Sequence, residues 1–438
     1  ASSVANAAAV NSGINFGSIS ALSQSGAIAG KKLLAQATAN AVAVNNGVNT
    51  GTIAADATAQ AAGNGVATSN AAAVNNGFNS GNILASALSQ AAGKKLLHAA
   101  AGATANAAAV NTGINFGSVG AGAQAGSLAF GKKLLQASSV ANAAAVNSGI
   151  NFGSISALSQ SGAIAGKKLL AQATANAVAV NNGVNTGTIA ADATAQAAGN
   201  GVATSNAAAV NNGFNSGNIL ASALSQAAGK KLLHAAAGAT ANAAAVNTGI
   251  NFGSVGAGAQ AGSLAFGKKL LQASSVANAA AVNSGINFGS VGAGAQAGSL
   301  AFGKKLLQAS SVANAAAVNS GINFGSISAL SQSGAIAGKK LLAQATANAV
   351  AVNNGVNTGT IAADATAQAA GNGVATSNAA AVNNGFNSGN ILASALSQAA
   401  GKKLLHAAAG ATANAAAVNT GINFGSVGAG AQAGSLAF

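Results

Sequence analysis

One block of sequence, copied without error, limits what this chain can fold into. Residues 1–136 recur letter for letter as 137–272. A shortened copy fills 273–308, and a further copy occupies 309–438, stopping six residues short of full length. Segments copied wholesale point to arrays or fibres, in which each segment packs on its neighbours, before they point to a fold built once around an active site. The chain opens without Met or a signal-peptide pattern and closes inside a copy, so it reads as a piece of a longer repeat.

A smaller word recurs inside each block: V-N-x-G-h-N-x-G, then a small polar residue and Ile or Val. It reads VNSGINFGSI from Val10, VNNGVNTGTI from Val44, VNNGFNSGNI from Val74 and VNTGINFGSV from Val110. The spacings of 34, 30 and 36 residues fall in the range of solenoid and array repeats, although no single coil length is kept. The shortened copy lacks three whole subrepeats, and its junction lies in the shared word INFGS. Such a loss removes the core of a globule but only shortens a one-dimensional array.

Local pattern favours strands. Residues 55–61 read ADATAQA and 37–44 read ATANAVAV, with a period of two. Over 4–16, one strand face holds Val4, Asn6, Ala8, Val10, Ser12, Ile14 and Phe16. The other holds Ala5, Ala7, Ala9, Asn11, Gly13 and Asn15. Small faces allow close stacking, and rows of Asn can hydrogen-bond along a stack. The expected fold is a repetitive, fibrous, β-rich array of stacked strands or an irregular β-solenoid. The alternative is Ala-rich helical repeats with Asn/Gly loops. There Ser18, Thr52, Asn82 and Ser118 would be N-caps, and Asp56 would favour a helix start.

Composition narrows the function. Charged residues are 5% of the chain, against about 25% in ordinary globular proteins. Cys, Met, Pro, Trp, Tyr, Arg and Glu are absent. Burying one methyl-sized group gains roughly 0.8 kcal/mol, while ordering one residue's backbone costs about 1–2 kcal/mol. Side chains this small need continuous backbone bonding, dense stacking or contacts between chains. A mean hydropathy of +0.43 favours association. Without Cys there is no disulfide framework or thiolate metal site. No uninterrupted apolar run reaches the roughly 18 residues that suggest a membrane span.

The net charge of +15 comes from Lys, always in the word G-K-K-L-L. Lys31, Lys32, Lys94, Lys95, Lys132 and Lys133 are the candidates for charge control of assembly. Paired cations interrupt sticky segments and protect sheet edges. They also allow weak binding to polyanions. Specific nucleic-acid reading is not expected, because Arg is absent and aromatics do not interleave with Lys. The same G-K-K resembles the dibasic cleavage signal of secreted peptide precursors. Val10, Ile14, Phe16, Phe78, Phe116 and Phe130 are the candidates for packing among small neighbours.

Catalysis finds little support. Each full copy has one His and one Asp, 42 residues apart in order Asp56, His98. A metal site needs three or four converging donors, and a hydrolytic triad needs its members in contact. The Gly-rich words lack the Lys-Ser/Thr ending of a phosphate-binding loop. The expectation is a non-enzyme without cofactors.

The word GAGAQAGS at 120–127 is similar to the Gly-Ala-Gly-Ala-Gly-Ser word of insect silk fibroins. The long Ala/Ser/Gly-rich copies resemble arthropod silk proteins, spider spidroins included. High Asn content, the lack of Tyr and the GKKLL pairs depart from that pattern. The resemblance implies a secreted, self-associating structural protein of fibre or matrix. Its partners would be identical or related chains. The other readings are a secreted polyprotein precursor cut at Gly-Lys-Lys and an engineered repeat concatemer.

Overall fold

The computed structural model describes the whole chain except residues 30–33, 63, 96–97, 132–133, 166–169, 232–233, 268–269, 303–305, 338–341, 371, 402–408 and 438. It divides into two compact units. Unit 1 is Ala1–Gly199 with Thr204–Leu220, and unit 2 is Asn200–Ala203 with Ala221–Phe438. Among the described residues there are strands and turns but no helix. Each unit is a β-solenoid with three parallel sheets.

One coil of unit 1 illustrates the rest. A long entry strand, Leu34–Asn45, runs into the repeated word. A two-residue corner strand, Val48–Asn49, follows within that word. A return strand, Ile53–Ala62, closes the coil. The next coil repeats this as Asn64–Asn75, Phe78–Asn79 and Ile83–Lys95. Each strand pairs in parallel with its counterpart one coil away. Val10, Val44 and Val74 fall in one column, as do Ile14, Val48 and Phe78. Unit 2 keeps the same register: Val246 pairs with Val282, and Val282 with Val318. The recurring word is therefore the corner of a coil.

The strand expectation holds and the helical alternative does not. Ser18 precedes the return strand that starts at Ile19; Thr52, Asn82 and Ser118 occupy the same place in later coils. The Thr52 carbonyl accepts the Ile19 amide at 2.9 Å, and the Ser118 carbonyl accepts the Ile83 amide at 2.8 Å. Asp56 faces outward from the strand Ile53–Ala62. Helix propensity is a weak local preference, and the bonds between stacked coils override it.

The inner face is the small one. Ala39, Ala41 and Ala43 are 0–1% exposed, and Asn45 and Asn49 are fully buried. The sheets lie close enough for hydroxyls to reach the opposite backbone. Ser23 Oγ donates to the Ala5 carbonyl at 2.7 Å and accepts the Asn40 amide at 3.2 Å. An interior this thin has no room for an aromatic ring. Val10, Ile14, Phe16, Phe78 and Phe116 accordingly point outward and are 36–82% exposed. The backbone of Phe130 lies in the strand Val119–Gly131. The larger interior side chains are Ile53, Ile83, Val119 and Ile155, each at the start of a return strand.

Candidate functional site

The corner of the coil concentrates the specific chemistry. In VNxG, the Asn side chain faces the interior and its amide closes the turn. Asn45 Nδ2 donates to the Gly47 carbonyl at 3.1 Å, to the Phe78 carbonyl at 3.1 Å and to Asn75 Oδ1 at 2.8 Å. Its Oδ1 accepts from Asn11 at 2.8 Å. One side chain thus fixes its own turn, the next coil and the previous one. The second Asn of the word does the same. Asn49 donates to the Gly51 carbonyl at 2.6 Å and to Asn79 at 2.8 Å, and accepts from Asn15 at 2.8 Å. A buried amide with both ends satisfied meets the general requirement for polar groups in an interior.

These bonds join into ladders. In unit 1 one ladder continues from Asn75 to Asn111, Asn147 and Asn181, and a parallel one from Asn79 to Asn115, Asn151 and Asn185. In unit 2 the first type links Asn247, Asn283, Asn319, Asn353 and Asn383 at 2.8 Å per step. A third ladder runs along the outer face of the entry strands, with its amides turned the other way. There Asn70 donates back to Asn40, and Asn106 back to Asn70, both at 2.8 Å.

The corner glycines are fixed by the same stacking. A Cβ on Gly47 would lie 2.0 Å from the Gly13 carbonyl oxygen, and one on Gly77 would lie 2.0 Å from that of Gly47. The Gly13 oxygen accepts the amide of Val48, the residue after Gly47, at 3.0 Å. Glycine is required here because backbone passes directly over backbone.

Outside the corner, identical side chains stack on one another. Phe116 and Phe152 lie face to face with centroids 4.7 Å apart. In unit 2, Phe252, Phe288 and Phe324 stack at 4.6 and 4.9 Å. These spacings match the ~4.7–4.9 Å between paired strands. Phe78 meets Phe116 at 56°. The packing made by these rings is therefore between coils on the surface.

Of the Lys candidates, two lie in described residues, at the end of a return strand away from the corner. Lys94 and Lys95 end the return strand Ile83–Lys95, whose first residue adjoins the corner. Lys31, Lys32, Lys132 and Lys133 lie outside the described residues. Among the described residues, no three His, Asp or other ligating side chains gather as a metal site. Among the described residues, no helix is long and apolar enough to cross a membrane.

The interior ladder residues and the return-strand Ile residues are absent from the candidates drawn from the sequence. The signal for them lies in the alternation. Carried unbroken through the corner word, it puts Asn11, Asn15 and Ile19 on the face of Ala5, Ala7 and Ala9. Comparison with protein-family models, curated proteins and solved structures finds no match to the chain.

Proposed function

We propose that the chain is a self-assembling structural protein, silk-like in use, which forms an extracellular fibre or matrix through many weak, repeated contacts. The observation that carries this reading is the uniform corner chemistry. Coil after coil within each unit, the same Asn and Gly residues are used to join one coil to the next. The outward Val, Ile and Phe residues leave apolar surface on every coil. Exposed patches of that kind mark association surfaces. The Lys pairs, Lys94 and Lys95 among them, keep chains apart until their charge is screened or met by a polyanion.

The test is assembly itself. Turbidity and sedimentation should rise with ionic strength as repulsion between Lys pairs is screened. Fibres drawn from the assembled material should diffract at ~4.7–4.8 Å along their axis. A chain that stays monomeric at high concentration across all ionic strengths would overturn the reading.

A further inference from the structure

We infer that the corner carries a site of self-modification: Asn46, Asn182 and Asn354 lose the side-chain amide as ammonia and become aspartate. The two Asn residues of VNNG differ. Asn45 faces the interior, bonded at both ends, and is followed by another Asn. Asn46 is exposed and is followed by Gly47. An Asn before glycine can cyclise, because glycine has no side chain to shield its amide nitrogen. The Gly47 nitrogen attacks Asn46 Cγ and forms a C–N bond, while the Cγ–Nδ2 bond breaks. The Gly47 amide proton passes by way of solvent to the departing Nδ2, which leaves as ammonia. One water then opens the five-membered imide. Cleavage at Cγ gives aspartate, and cleavage at the backbone carbonyl gives isoaspartate. Water is the only co-reactant.

The stacked coils decide which Asn-Gly pairs are open to this step. Among the described residues, the amides of Gly47, Gly183 and Gly355 have no hydrogen-bond partner. The Nδ2 atoms of Asn46, Asn182 and Asn354 donate to none of the described residues either; the coil before each has Ser12, Ser148 or Ser320 in this place. Their Oδ1 atoms accept from the coil after, from Asn76, Asn212 and Asn384, each at 2.9 Å. In that second set the leaving nitrogen is therefore held. Asn76 and Asn384 also accept the hydroxyls of Thr112 and Thr420 at 2.7 Å, and the Gly385 amide donates to the Asn353 carbonyl at 3.3 Å. Breaking one such bond first slows the step about fivefold. The product sorts the two sets in the same way. Aspartate at position 46 keeps an oxygen for Asn76 Nδ2, whereas aspartate at position 76 sets two acceptors face to face. Isoaspartate lengthens the backbone path where a Cβ on Gly47 would already lie 2.0 Å from the Gly13 oxygen, so the folded coil favours aspartate. Each event lowers the net charge of +15 by one.

The test uses the full chain, folded, held at mildly alkaline pH in oxygen-18 water. The two sets lie in different words, VNNGVNTG and VNNGFNSG, so tandem mass spectrometry of digests reads each set although the copies are identical. In the folded chain VNNGVNTG should take up the label about fivefold faster than VNNGFNSG, with aspartate as the main product. In urea, where no coil holds either amide, the two rates should converge. A triple variant, Asn46→Ser with Asn182→Ser and Asn354→Ser, puts in each place a residue that the column already carries at Ser148. It frees the leaving nitrogen of the second set, and labelling of VNNGFNSG should rise severalfold. Absence of label at VNNGVNTG in the folded chain, a ratio that urea leaves unchanged, or no rise in the triple variant would each overturn the inference. None of these readouts depends on whether the chain assembles.

Discussion

The inside and the outside of a coil obey different rules, although they alternate along the same strand. Inside the entry strands, successive coils place Ala39, Ser69, Ala105 and Ala141 in one column and Asn45, Asn75, Asn111 and Asn147 in another. Outside, one column passes through Gln36, Val66, Gly102 and Ser138, and the next through Thr38, Thr68, Thr104 and Val140. The inner columns are held by a sheet separation that admits little more than a methyl group, and by amide ladders that fail if one rung changes. The outer columns need only tolerate their neighbours. Coil length belongs to the tolerant part. Ile53–Ala62 is followed at once by Asn64–Asn75, whereas the longer Ile83–Lys95 precedes His98–Asn111. The corner stays in register because the extra strand residues lie at the ends away from it.

Two glycines offer the sharpest test of this contrast. Gly113 lies in a corner, where a Cβ would meet the Gly77 carbonyl oxygen at 1.9 Å; Gly122 faces outward with nothing within 4 Å. Gly113→Ala should destabilise the flanking coils by about 3 kcal/mol or more, since backbone must move on both sides. Gly122→Ala should instead stabilise by roughly 0.5 kcal/mol, by restricting the unfolded chain. Hydrogen exchange of the flanking strand amides reads both. Equal protection in the two variants would mean that coil stacking at the corner is looser than described.

Much of this fold is legible in the sequence. The VNxG words mark the coils, and the period-two pattern of residues 4–16 separates the two faces correctly. It does not say which face turns inward. Ordinary hydrophobic reasoning buries Val10, Ile14 and Phe16, because large apolar groups gain most from leaving water. Here the geometry of stacking wins. Once Ala5, Ala7 and Ala9 set a thin interior, rings and most branched chains lie outside, and the buried Ile53 and Ile83 sit at the start of a return strand, beside the corner. The corner glycines are also hard to assign from sequence. An N-x-G word suits a turn in many folds, and only the stacked coils show that Gly113 is fixed by the backbone of Gly77.

The Asn ladders extend the contrast to one residue type on both sides. Asn115 is buried, donates to Asn151 and accepts from Asn79. Asn106 is part-buried on the outer face, donating to Asn70 and accepting from Asn142 at the same 2.8 Å. Asn115→Ala should cost about 2 kcal/mol, because its neighbours in the ladder are left buried and unpaired. Asn106→Ala should cost at most about 0.5 kcal/mol, since water replaces the lost bonds. Urea unfolding of single-site variants, compared at matched midpoints, checks the ratio. Similar losses at the two sites would show that bond geometry outweighs burial in setting the strength of a rung.

A third pair should show a smaller loss than Gly113 or Asn115, and its two members should shift in opposite directions. Ser127 faces the interior, 4% exposed, and its Oγ has no hydrogen-bond partner. Its neighbours in the column are Ala91 and Ala163, so the stack already accommodates a methyl group on either side. Ser161, two residues before Ala163 on the next return strand, is also buried, but it shares a bond with Ser139 Oγ at 2.7 Å and donates to the Ser139 carbonyl at 2.8 Å. Removing an unpaired buried hydroxyl recovers its desolvation cost, whereas removing a paired one forfeits the bond. Ser127→Ala should therefore stabilise its coil by up to about 1 kcal/mol, and Ser161→Ala should destabilise by a similar amount. Opposite shifts in local exchange protection would separate a polar group that holds the two sheets together from one that the interior merely tolerates. A loss at Ser127 equal to that at Ser161 would mean that its hydroxyl is bonded in solution.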